Sequence, residues 1–95
     1  MQKIQEILEI LGDPYDVKIY DQEKCIHRDL GEYEFEVSGA CKSRCTLYVW
    51  KSSPHVLVGI YTNIPTGSLK DVLGHFACLY QNLLAEIQVE RQEIM

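Results

Sequence analysis

The chain has 95 residues, enough for one modest hydrophobic core and too few for a second. Its 46% hydrophobic and 24% charged residues are the composition of a folded protein and exclude general disorder. A net charge of −5 argues against nucleic acid and anionic membrane surfaces, both of which reward basic residues, and suits a protein or peptide partner that carries them.

The first stretch, MQKIQEILEILG, predicts an amphipathic helix. Ile4, Ile7, Leu8 and Leu11 recur at i, i+3, i+4, i+7 and so share one face. Gly12 suits the C-terminal cap, and Pro14 prevents continuation. Acidic residues interrupt the stretch, so it does not read as a secretory signal. No apolar run approaches the length that spans a bilayer. The expected location is the cytoplasm, where four cysteines stay reduced.

Strand patterns come next. DVKIYD alternates Val17 and Ile19 against Lys18 and Tyr20, and KCIHRDL alternates more weakly around Ile26, leaving open whether 25–30 is a strand. EYEFEVSG is the cleanest: Tyr33, Phe35 and Val37 on one side, Glu32, Glu34 and Glu36 on the other. CTLYVWK and HVLVGIYTNI are rich in β-branched and aromatic residues. Short polar connections predict hairpins, hence antiparallel neighbours. Pro65 and Gly67 close the sheet, and a long helix is expected from about Ser68 to Arg91, with Ser68 and Asp71 placed as a capping box. Residues 1–95 therefore read as a single α+β domain: an N-terminal helix, an antiparallel meander of four to five strands and a long C-terminal helix, with the helices packed on the sheet.

Two surfaces invite a functional reading. On the last helix, Leu69, Leu73, Phe76, Tyr80, Leu83 and Ile87 repeat at heptad spacing. Part of that stripe must cover the sheet; the far part, Tyr80, Leu83, Leu84 and Ile87, is the candidate oligomer interface. On the sheet, strict alternation sends Leu47, Val49, Val56, Val58 and Ile60 to the core with Tyr33, Phe35 and Val37. It sends Glu34, Glu36, Thr46, Tyr48, Trp50, Leu57, Gly59 and Tyr61 outward. Glu34, Glu36, Tyr48, Trp50, Leu57 and Tyr61 are the candidate binding residues, an aromatic patch beside carboxylates that suits a cationic segment.

The cysteines and histidines form no familiar motif. Cys41-Lys42-Ser43-Arg44-Cys45 reads as a basic hairpin turn, with Cys45 in the sheet and Cys41 more exposed. The spacing of Cys25, His27, Cys41 and Cys45 departs from zinc-finger and ribbon patterns, yet a metal- or redox-responsive regulator built on these four is the alternative function. Asp71, His75, Cys78 and Asn82 run along one helix face and do not converge on a point, as a nucleophilic set would. No phosphate loop, dinucleotide fingerprint or nucleophile elbow occurs. No catalytic residues, metal or cofactor are expected. The expectation is a non-catalytic protein-binding, adaptor or regulatory domain that associates as a homodimer.

Overall fold

In a computed structural model the chain runs α1 (Ile4–Leu11), β1 (Asp16–Tyr20), β2 (Glu23–Asp29), β3 (Tyr33–Ser38), β4 (Arg44–Ser52), β5 (His55–Pro65), a 3-10 turn (Thr66–Ser68) and α2 (Leu69–Ile94). The structure describes residues 3–52 and 54–94, with side chains as far as Asn82. The five strands form one antiparallel sheet in the order β1-β2-β3-β4-β5, so the expected α+β meander is what is found, and 23–29 is a full strand. Among the described residues, no helix is long and apolar enough to cross a membrane.

The turns explain the meander. Asp21 and Gln22 both take positive φ, 49° and 67°, the backbone that a two-residue hairpin turn requires between twisted strands. Between β2 and β3, Gly31 sits at φ 94° and its N–H donates to Asp29 Oδ1 at 2.7 Å. Between β3 and β4, the Lys42 N–H donates to Gly39 O at 3.0 Å, which makes the basic segment a turn, as expected. That turn is held from outside as well: the Thr66 hydroxyl donates to Lys42 O, and the Thr66 N–H to Ser43 O. The long helix thus begins with a 3-10 turn that a capping box alone does not foretell.

Both helices contribute to a core on one face of the sheet. The inward strand residues Ile26, Tyr33, Phe35, Val37, Leu47 and Val49 meet Ile7 and Leu11 of α1 and Leu69, Leu73, Ala77 and Tyr80 of α2. Phe35, Ile26, Leu47, Leu69 and Leu73 are fully buried, each worth roughly 1.5–3 kcal/mol relative to exposure. The helical periodicity of both segments is used for this burial. Hence Tyr80, expected at an oligomer interface, is only 7% exposed and belongs to the chain's own core. Its ring lies 4.9 Å from Tyr33 and 6.0 Å from Phe35. Leu83, Leu84 and Ile87, the rest of that expected interface, lie outside the described side chains.

One strand departs from simple alternation. On β5, Val49 faces Gly59 but Trp50 faces Leu57, so Val58 has no partner on β4; a second irregularity falls between Tyr61 and Ile64, where Asn63 adopts φ 61°. Each extra residue flips the faces of the residues after it. Gly59 and Tyr61, expected outside, therefore point toward α2, where Tyr61 lies 4.2 Å from Phe76 and shares a 3.0 Å hydroxyl contact with Tyr80. Ile60, expected inside, pairs with the outward Tyr48 and is 52% exposed. Val58, also expected inside, is the bulged residue at 45% exposure, and Val56 sits at the open end of the core face at 46%.

Candidate functional site

The sheet face opposite the helices carries the site. Antiparallel register places Asp16, His27, Glu36, Tyr48 and Ile60 in one row across all five strands. Asp29, Glu34, Trp50 and Leu57 form the next row across four. The twisted sheet is hollowed here into a groove of about 740 Å³. Its aromatic walls are Tyr20, Tyr48 and Trp50, with His55 stacked on the Trp50 indole at 4.6 Å and 20° between planes. Its charged lining is Asp21, Glu23, Glu34 and Glu36, and among the described lining residues there is no lysine or arginine.

The electrostatics follow from this one-sided charge. Burial pushes the Glu36 carboxyl above the usual carboxylate range; the Trp50 indole works against that shift, Glu23 and Asp21 add to it, and His27 opposes it. Burial also raises the Tyr20 phenol, with Glu36 and Glu34 adding to the effect. The Cys25 thiol is pushed up from 9.0 to about 11, by burial first and then by Glu23 and Glu36. A thiol so placed stays protonated at neutral pH and makes a poor nucleophile. At the rim the Ser38 hydroxyl donates to Glu23 Oε2 at 2.8 Å. The groove thus offers acceptors and aromatic faces, and its thiol is not activated.

Of the binding candidates, Glu34, Glu36, Tyr48, Trp50 and Leu57 come together in the groove, while Tyr61 lies on the opposite face because of the Val58 bulge. Alternation on β2 adds Cys25 and His27 to the groove floor. Their shared strand face is legible in the sequence, but their pairing with the carboxylates is not, because the register of a weakly patterned strand cannot be read from its own residues. The four residues of the metal or redox alternative do not meet. Cys25 and His27 are on the groove side, Cys41 is in the β3–β4 turn, and Cys45 is in the core on the far face, its Sγ 3.5 Å from Ile64 O. Among the described residues, no three His, Cys, Asp or Glu side chains are placed to hold one metal ion. Asp71, His75, Cys78 and Asn82 are all exposed along α2, with Asn82 Nδ2 3.6 Å from Cys78 Sγ. Compared with protein-family models, curated proteins and solved structures, the chain finds no significant match.

Proposed function

We propose that the chain is a non-catalytic binding domain whose sheet groove holds a basic segment of another protein. The observation that supports this best is the lining: four carboxylates and an aromatic wall, with no lysine or arginine among the described lining residues to neutralise them. A lysine- or arginine-bearing peptide would complement the charge and lay its cation on the aromatic faces. Trp50 is the only tryptophan of the chain, so its emission reports occupancy of the groove directly. Titration with short capped oligolysine and oligoarginine peptides should give a saturable emission change. The change should weaken in about 0.5 M salt, where exposed charges are screened, and be lost in Glu34→Gln/Glu36→Gln. Neither emission change nor calorimetric heat with either peptide would overturn the reading. Its setting is the cytoplasm, which fits four free thiols, none of them bridged.

The domain also acts, on this reading, as a homodimer. The supporting observation is β5. It is an edge strand of 11 residues, with Val56, Leu57, Val58 and Ile60 exposed and no charged Lys, Arg, Asp or Glu between His55 and Pro65. Edges of this kind, without a guarding charge, recruit another strand. Two copies that pair β5 antiparallel about a two-fold axis form one continuous sheet and leave both grooves open. Light scattering should give twice the 11.0 kDa chain mass, and Val58→Lys/Ile60→Lys should return it to the monomer. A concentration-independent monomer for the unaltered chain would remove the self-association.

A further inference from the structure

The basic turn between β3 and β4 carries the charge that the groove lacks. Of the nine lysines and arginines in the chain, Lys42 and Arg44 are the only two closer than four residues. Both are exposed, as is Ser43 between them. Among the described residues neither forms an ion pair, and Arg44 makes one side-chain hydrogen bond, from Nη1 to Asn63 O at 3.3 Å. The turn is stiff. Gly39 O accepts from the Lys42 N–H, while the Thr66 hydroxyl and N–H donate to Lys42 O and Ser43 O from the neighbouring connection. Pairing of Ser38 with Thr46 closes its base. The turn is therefore not free to fold back over its own sheet, and neither Lys42 nor Arg44 lines the groove of its own chain. A turn already fixed in shape loses little conformational freedom when it docks.

We propose that this turn is the segment that the groove of a second copy of the chain takes up, with Lys42 and Arg44 of one copy set against Glu34 and Glu36 of the next. The proposal rests on the reading of the groove as a site for a basic segment and names that segment. Charge complementarity selects it: a lining of four carboxylates without lysine or arginine matches the one place where the sequence pairs two cations. Tyr48 and Trp50, opposite those glutamates on the adjoining strand, offer ring faces on which the Arg44 guanidinium can stack. The net charge of −5 opposes self-association. That repulsion acts between whole molecules and is screened beyond about 10 Å at 0.1 M salt, whereas turn and groove meet in contact. Because they are different patches, the contact runs head to tail and continues from copy to copy unless its rotation closes a ring. Pairing through β5 is distinct from it, since that joins like patches through apolar residues.

Light scattering on the full chain in about 0.1 M and about 0.5 M salt tests the docking. In the higher salt the mass should hold a plateau as concentration rises; in the lower salt it should climb to at least about twice that plateau. Lys42→Gln/Arg44→Gln and Glu34→Gln/Glu36→Gln should each hold the plateau in both salts. An equimolar mixture of the two variants should rise above it again, because one brings an intact groove and the other an intact turn. A thermal melt checks that each variant folds; if the turn variant does not, Lys42→Gln alone, a change at an exposed side chain, takes its place and should weaken the climb. A mass that stays on the plateau in both salts overturns the docking; if oligolysine or oligoarginine still changes Trp50 emission, the basic-segment reading stands. A climb that survives in the variants, or a mixture that fails to associate, overturns the docking as well. No climb together with no peptide signal removes both readings.

Discussion

Gly59 is the residue on which the inner face of β5 depends. A Cβ placed there would lie 3.0 Å from both the Tyr61 ring and the Tyr80 hydroxyl. Those rings have little room to yield, since Tyr61 packs on Phe76 and Tyr80 on Tyr33 and Phe35. Gly59→Ala should therefore cost on the order of 1–3 kcal/mol by overpacking, read from the urea midpoint. Adding Tyr80→Phe, which removes one of the clashing oxygens, should recover part of that loss, so the two effects should not add. The thiols give a second residue-scale expectation. Cys78 is exposed and Cys41 half-buried, whereas Cys25 and Cys45 are buried with their thiols pushed to higher pKa, mainly by burial. A disulfide reagent at neutral pH should modify Cys78 first and Cys41 next, and reach Cys25 and Cys45, 2% and 3% exposed, only once denaturant unfolds the chain. Fast modification of Cys25 in the folded chain would contradict its burial.

At the scale of the element, β5 shows what a pattern can and cannot carry. β3 is legible in the sequence because each of its residues alternates without interruption, and its register against β4 keeps Phe35 opposite Val49 and Glu34 opposite Trp50. The same rule applied to β5 reverses Gly59, Ile60 and Tyr61, since a bulge inserts one residue without altering composition, and valine at position 58 gives no local sign of it. Glycine beside it and asparagine at 63 are the available hints: one often marks a bulge, and the other tolerates positive φ better than most residues. The error is confined to the residues beyond each bulge, so Leu57 stays in the groove and only Tyr61 is lost from the expected site. Asn63 then makes a testable case. At φ 61°, Asn63→Gly should leave stability nearly unchanged, while Asn63→Val should lose about 1–2 kcal/mol, the cost of a branched side chain in left-handed backbone. Chemical denaturation of both variants checks this, and equal stability would mean that the second irregularity relaxes freely. The histidine floor is illegible in the sequence for a different reason. It exists only through pairing of β1, β2 and β3, and neither Asp16 nor His27 carries a motif.

Across the whole molecule, the shifts at Cys25, Cys45, Tyr20 and Tyr80 all run upward, with burial the first cause of each. Unfolding exposes these groups and lets them release protons at lower pH than the native chain does. Bound protons are then fewer in the unfolded state, and stability falls as pH rises. The contribution is complete below the ordinary thiol value of 9.0 and is lost toward about 11, where native Cys25 ionises. Between about pH 8 and pH 10.5 the loss from Cys25 should be on the order of 2 kcal/mol, visible as a falling urea midpoint and reduced in Cys25→Ala. A flat profile would show that the thiol is wetter than its 2% exposure implies. The strand order has a consequence for how this structure is reached. Since β1 to β5 stand in the sheet as they stand in the chain, each hairpin closes on its immediate predecessor and no strand waits for a distant partner. The helix that covers Phe35, Leu47 and Val49 follows all five strands in the chain. During synthesis, which proceeds from the N-terminus, the part of the sheet's oily side that α1 leaves uncovered stays bare until residues 69–80 have left the ribosome. The nascent chain is therefore most vulnerable to aggregation in the interval between finishing β5 and docking α2, and the speed of that docking sets how long it needs protection.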